Sequence, residues 1–264
     1  MIKVLFMGRK QVARDCLESL LNRSDIEVVG VLTDSHLEGS VTTQFAHSIG
    51  LKTYSFDEAL LALETGELEH DVGLSMLYWR KFQGPFLTVP KYGLINFHPA
   101  PLPDYKGVGG YNLAILERRS DWAASAHFVD TEIDTGPIIK VDRFDIDPDN
   151  ETAQSLEKKS QLFLRDLFES VVEMLVADPN KMPRKPNNGG TYLSRLELEA
   201  MKEIDFDEDD VSRKVRAFWF PPYDGAYIVK GGQKYTLVDH SILKSLADPA
   251  ASSLFTSPAK KKSS

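Results

Sequence analysis

The feature that most narrows what this chain can fold into is an alternation, through residues 1–180, of short apolar runs with stretches whose apolar side chains recur every three or four positions. Residues 2–7 form a compact, mainly apolar run closed by Gly8, after which Val12, Cys16, Leu17, Leu20 and Leu21 share one helical face. Residues 26–32 are a second run, rich in branched aliphatic side chains. A strand, a tight turn, a helix and another strand make a βαβ unit, whose strands are parallel and buried. The pattern continues with helices expected at 40–49, 57–65 and 109–118, and strands at 51–54, 71–77, 93–97, 123–129 and 137–144. Between 152 and 177, Leu156, Phe163, Leu164, Leu167, Val171 and Leu175 predict one long amphipathic helix that stops before Asp178-Pro179. The expected fold is α/β: a Rossmann-like, mostly parallel sheet flanked by helices.

The periodicity ends after the main domain, residues 1–180. Residues 181–191 are rich in Pro, Asn and Gly and read as a linker. Residues 192–245 read as a small C-terminal α+β unit, with helices near 195–201 and 207–218 and strands at 226–229 and 234–238. Gly231-Gly232 between those strands marks a β-hairpin. Residues 246–264, which contain Lys260 to Lys262 after a Pro/Ser/Ala stretch, are expected to be a disordered tail.

Composition limits the function classes. At 264 residues and 42% hydrophobic content the chain can bury a full core. Its one cysteine, Cys16, rules out an internal disulfide framework and a Cys-based zinc cage, and reads as a packed side chain. The start runs straight into a strand without a signal-peptide pattern, and no apolar stretch approaches the roughly 18 residues of a membrane span, so a cytoplasmic protein without a membrane partner is expected. A net charge of -8 argues against nucleic acid as a partner.

Three segments carry the chemistry. Gly8-Arg9-Lys10 holds only the first glycine of a dinucleotide-binding turn; Arg9 and Lys10 would fill the space a pyrophosphate needs, and the segment reads either as a plain turn or as the lining of a pocket at the C-terminal sheet edge. In the segment 93–107, a strand delivers Asn96 and His98 on one face, because strand side chains repeat every two residues. Pro99, Pro101 and Pro103 then stiffen the exit. In the segment 127–139, a polar turn carries Asp130 and Asp134 before Gly136-Pro137 redirects the chain. His127, inside a strand, reads as a packed or hydrogen-bonded residue, and Asp130 serves equally as a turn former. His36, His47, His70 and His240 read as surface residues. No metal site emerges, since His98 and Asp134 lack a third ligand at convincing spacing.

The pair N-F-H-P-x-x-L-P-x-Y-x-G, from Asn96, and H-F-V-D-x-x-I-D-T-G-P-I, from His127, resembles the formyltransferases that act on glycinamide ribonucleotide, methionyl-tRNA and nucleotide-linked sugars. The resemblance covers residues 1 to about 180. It implies 10-formyltetrahydrofolate as co-substrate, no metal, and Asn96, His98 and Asp134 as the catalytic residues. It also implies a folate slot between the segment containing Met76, Leu77, Tyr78 and Arg80 and the loop containing Asp130 and Ile133.

Which amine is formylated is read from the remainder. Methionyl-tRNA enzymes carry a larger C-terminal barrel and a basic surface, and glycinamide ribonucleotide enzymes end soon after the catalytic domain. Here the stretch Arg216 to Tyr227 resembles the short C-terminal segment of sugar N-formyltransferases, as does Lys106 to Asn112. The expected acceptor is therefore a nucleotide-linked amino sugar (dTDP-, GDP- or UDP-linked), met by Arg9, Lys10, Lys106, Gly107, Tyr111, Asn112, Trp219 and Tyr223. Trp219 and Tyr223 are the candidates for stacking on the base, Arg9 and Lys10 for the diphosphate. Phe218 and Phe220 read as a plug fastening the C-terminal unit. Relatives imply a homodimer. The alternatives are the other two formyltransferase activities, hydrolysis of the formyl donor, and a folate-binding protein without catalysis.

Overall fold

The fold is described over residues 1–33 and 39–245 of a computed structural model; His36 and the expected tail, 246–264, lie outside the described residues. The first half of the chain forms β1 (Ile2–Gly8), α1 (Gln11–Leu21), β2 (Ile26–Leu32), α2 (Val41–Ser48), β3 (Thr53–Tyr54), α3 (Phe56–Thr65), β4 (Val72–Met76), α4 (Pro85–Thr88), β5 (Leu94–His98), β6 (Tyr105–Gly107) and α5 (Gly110–Leu116). The second half forms β7 (Asp121–Phe128), β8 (Ile138–Asp145), α6 (Ala153–Ala177), β9 (Thr191–Leu193), α7 (Arg195–Ala200), α8 (Val211–Phe218), β10 (Tyr227–Lys230), β11 (Gln233–Thr236) and α9 (His240–Ser245).

Seven strands pair in the order β3-β2-β1-β4-β5-β7-β8. Pairing is parallel from β3 through β5 and antiparallel from β5 to β8. The chain runs outward from β1 to β3 and then returns to the other side of β1 at β4. That reversal is the point where open α/β sheets leave a crevice beyond their strand ends. The α/β, mostly parallel architecture with a C-terminal hairpin is as the sequence predicts.

One face of the sheet buries Val4, Phe6, Ile95 and Phe97 against Ala13 and Leu17 of α1 and Leu164, Leu167, Phe168 and Val171 of α6. Gly8 permits this close packing, because a Cβ there would fall 2.5 Å from that of Ala13. Cys16 is fully buried in the same core, and burial pushes its thiol far above its ordinary pKa, consistent with packing. Behind α5, Ile115 packs with Ile204, Val215, Ala217, Phe218 and Ala226, so Phe218 is the plug expected of it. No helix among the described residues is long and apolar enough to cross a membrane.

The structure differs from the sequence expectations at several points. The helix expected from 207 begins at Val211, because Asp205 and Asp209 capture nearby backbone N–H groups that a helix would use. The hairpin strands are centred nearer their turn than expected, with Gly231 and Gly232 at φ +62° and +77°, as a two-residue primed turn requires. His70 is only 6% exposed instead of lying on the surface, and burial lowers its pKa to about 4. Among the described residues the short elements α4, α9, β6 and β9 and a 3-10 turn at Pro179–Lys181 are not predicted by the sequence. Strand β6, which precedes β9 in the chain, pairs with it in parallel, Tyr105 with Thr191 through Gly107 with Leu193. Lys185 also exchanges backbone hydrogen bonds of 2.8 and 2.9 Å with Ile138. Residues 185–193 therefore lie along the main domain.

Candidate active site

Sheet register assembles the first part of the site. Asn96 of β5 stands opposite Ser75 of β4 on one side and His127 of β7 on the other. The fully buried Ser75 hydroxyl donates to Asn96 Oδ1 at 2.9 Å, which fixes the amide orientation. Asn96 Nδ2 is thereby turned toward His127 Nε2, 3.2 Å away. His127 Nδ1 lies 2.8 Å from its neighbour's carbonyl, that of Phe128, so in the neutral ring Nδ1 donates and Nε2 accepts. The second N–H of Asn96 is left for a group in the cleft.

His98 stands two residues further along the same face. Its Nε2 donates to the Tyr105 carbonyl at 2.9 Å, which leaves the lone pair on Nδ1. That nitrogen is 3.4 Å from Asp134 Oδ2. Burial lowers the His98 pKa, and His127 lowers it further, against the pull of Asp134. A neutral imidazole with an available Nδ1 results at pH 7. The proline exit holds it in place: Trp122 Nε1 donates to the Pro99 carbonyl at 2.9 Å, and Ser125 Oγ donates to that of Ala100 at 2.7 Å.

Asp134 reaches over from the loop after β7. Burial pushes its carboxyl up, but the charge that His98 and His127 carry when protonated, together with the Gly107 N–H, outweighs burial and holds it at about 2. Its Oδ2 accepts from Gly107 N–H at 2.9 Å, and its Oδ1 is 3.4 Å from His127 Nε2. An amide donor, a neutral imidazole and a permanent carboxylate thus meet at one end of a cleft of about 370 Å³.

Leu77, Tyr78, Phe82, Val129 and Ile133 give that cleft apolar walls, and Lys81 spans it to Glu132 at 3.2 Å. Arg80 and Asp130 also line it, with Asp130 accepting from Thr135 Oγ1 at 2.6 Å. Arg9 and Lys10 enter from the end of β1, Lys10 paired with Glu157 of α6. Of the folate candidates only Met76 is absent from the lining, since it is buried in the core.

The acceptor candidates divide. Gly107 lines the cleft beside Arg9 and Lys10, whereas Lys106 is buried and donates to the carbonyls of Asn187 and Gly189. Tyr111 packs around Trp122, and Asn112 Nδ2 donates to the Ala217 carbonyl at 2.7 Å. Trp219 packs on the Phe218 cluster, and Tyr223 is 60% exposed against Phe220. None of these five lines the cleft. The cleft is also lined by His127, which the sequence reads as a packed or hydrogen-bonded residue, and by Tyr192 and Arg195, which sequence reasoning did not single out. The latter two are brought there by the pairing of β9 with β6, whose only sequence trace is the Gly189-Gly190 break before them.

Fold and site together define an α/β enzyme suited to acyl-type group transfer, in which an oxygen gathers charge and a nitrogen sheds a proton. The signature of the family described as formyl transferase matches residues 2–172. The GDP-perosamine N-formyltransferase of Brucella melitensis is 26% identical over 92% of this chain and 95% of its own length. A methionyl-tRNA formyltransferase of Mycoplasmopsis pulmonis is 25% identical over 88% of this chain and 83% of its own. The Helicobacter canadensis N-formyltransferase, solved with folinic acid and dTDP-3-aminofucose, has the same fold, with a TM-score of 0.71 at 23% identity over 89% of this chain and 86% of that one. The chain belongs to the formyl transferase family.

Proposed function

We propose that the protein moves a formyl group from 10-formyltetrahydrofolate to the amino group of a nucleotide-linked amino sugar, with Asn96, His98 and Asp134 as the catalytic set, working in the cytoplasm as a homodimer. The observation that carries this reading is the convergence of Asn96 Nδ2, His98 Nδ1 and the Asp134 carboxylate at one end of the cleft. The named activity of the Brucella relative and the ligands of the Helicobacter enzyme support the substrate classes. So does the cleft lining, to which Arg9 and Arg195 bring cationic side chains beside Lys10, itself paired with Glu157, in a chain whose net charge is -8.

The cleft fits a reduced pterin. Leu77, Tyr78 and Phe82 on one segment and Val129 and Ile133 on the other offer apolar surface for a flat ring, with Asp130 and Arg80 as polar partners. When bound, the folate supplies a formyl carbon already attached to nitrogen. Asn96 Nδ2 donates to the formyl oxygen as negative charge collects there; one such donor is worth on the order of 10²–10³ in rate. His98 Nδ1 takes the proton released by the attacking amine and returns it toward the departing nitrogen. Asp134 faces that Nδ1 and stabilises the ring while it is charged. The His98 Nε2–H, committed to the Tyr105 carbonyl, keeps the ring in the tautomer this transfer needs. Exposure of only 7% for His98 and 8% for Asp134 limits competition from water.

The reading of Arg9 as an acceptor contact predicts that Arg9→Ala raises KM for the nucleotide sugar by about tenfold with little change in kcat, as expected when a charge-assisted contact common to ground and transition states is lost. Steady-state kinetics at fixed folate measure it, and an unchanged KM removes Arg9 from acceptor binding. The acceptor class itself is tested by comparing kcat/KM for dTDP-, GDP- and UDP-linked amino sugars with that for glycinamide ribonucleotide and methionyl-tRNA. A nucleotide sugar is expected to exceed both by orders of magnitude, and preference for either of the others overturns the assignment.

A further inference from the structure

The segment joining the main domain to the C-terminal unit reaches the site from behind. Asn187, 7% exposed, places its side-chain Nδ2 within 2.9 Å of the Asp134 carbonyl and 2.8 Å of the Gly136 carbonyl, donating to both. These carbonyls bracket the turn in which Asp134 holds φ +56°, a left-handed conformation disfavoured for a residue with a side chain. The Oδ1 of Asn187 is buried and meets no donor among the described residues, so the amide acts through its N–H groups. Lys106, 8% exposed, in turn donates from Nζ to the carbonyls of Asn187 at 3.2 Å and Gly189 at 2.7 Å. The residue beside it, Gly107, gives its N–H to the Asp134 carboxylate. Asp134 is therefore gripped at its backbone from residue 187 and at its carboxylate from residue 107, and Lys106 ties the two grips together. Gly190 packs the same segment on the proline exit, since a Cβ there would fall 1.7 Å from the Pro103 carbonyl oxygen.

We propose that Asn187 and Lys106 are positioning residues that hold the Asp134 carboxylate against His98 Nδ1, making residues 185–190 part of the active site. The proposal rests on the reading of Asp134 as the partner of His98. Removing the Asn187 amide leaves two buried carbonyls without donors, so the turn relaxes and the carboxylate withdraws. Displacements of about 1 Å at such a site cost on the order of 10² in rate. His98 reports the movement directly. Asp134 and the Tyr105 carbonyl favour its charged ring and His127 opposes it, so withdrawal of Asp134 lowers the His98 titration midpoint.

The test is Asn187→Ala, with kcat and KM from steady-state kinetics and the His98 ring titrated by NMR, its resonance assigned by comparison with His98→Asn. We expect kcat to fall by about 10- to 100-fold with both KM values within about twofold, together with a lower His98 midpoint. An unchanged kcat overturns the proposal. So does a lower kcat with the His98 midpoint in place, which reveals mere structural support. Should Asn187→Ala fail to fold, Lys106→Met, which keeps the aliphatic stem and deletes the ammonium, is followed by the same two measurements, and the same two outcomes overturn the proposal. The ring titration follows Asp134 even in a protein that transfers no formyl group, so failure of the functional reading shows separately.

Discussion

Replacing His98 by asparagine is expected to lower kcat by about 10²–10⁴, the range over which a positioned acid–base group acts. It is also expected to change the shape of the pH profile. In the proposed transfer the acting form of His98 is the neutral ring, and burial holds its pKa below the ordinary imidazole value. Activity is therefore full above that depressed pKa and falls as pH drops through it, giving an acidic limb placed lower than an exposed histidine would give. In His98→Asn this limb is absent while a small, flatter rate persists, because Asn96 and the binding surfaces remain. A variant that keeps the acidic limb and near-normal turnover shows that another group moves the proton.

Asn96→Ala is expected to lower kcat by about 10²–10³ with smaller changes in KM, since in the proposed transfer its N–H meets an oxygen that carries full charge only in the transition state. Alanine also strands the buried Ser75 hydroxyl and His127 Nε2, at a stability cost of about 1–3 kcal/mol that a thermal melt reads. Asn96→Asp separates the two effects. An aspartate still accepts from Ser75 but offers no N–H to the cleft or to His127 Nε2, so it should be nearly as slow as alanine although the Ser75 hydrogen bond is kept. Fast turnover in Asn96→Asp would mean that the oxygen is stabilised elsewhere.

The parts of this molecule that were legible in the sequence are those governed by local periodicity. Apolar runs and helical spacing placed the main sheet and the 25-residue α6, and period-two alternation put Asn96 and His98 on one face. What escaped depends on which chain segments come to lie side by side. His127 looked like an ordinary strand histidine; it faces Asn96 only because β5 and β7 pair in that register. Tyr192 and Arg195 reach the cleft through the three-residue pairing of β6 with β9, too short to leave an alternating pattern. The surroundings of Lys106 depend on the same segment packing. The resemblance of Lys106 to Asn112 to sugar N-formyltransferases implies a substrate contact for Lys106, but its ammonium donates to the carbonyls of residues 187 and 189. Residues 181–191, rich in Pro, Asn and Gly, read as a linker by composition, which does not show that Asn187 donates to the Asp134 and Gly136 carbonyls or that Gly190 packs on the Pro103 carbonyl.

Formyl transfer itself is measured by the stoichiometry of purified protein given 10-formyltetrahydrofolate with a nucleotide-linked amino sugar. We predict one tetrahydrofolate released for each sugar amine that gains a formyl group by mass spectrometry, with neither product when either reagent is withheld. Release of tetrahydrofolate and formate at the same rate without the amine, or no formylated product from any amine offered, would contradict the transfer reaction proposed for Asn96, His98 and Asp134.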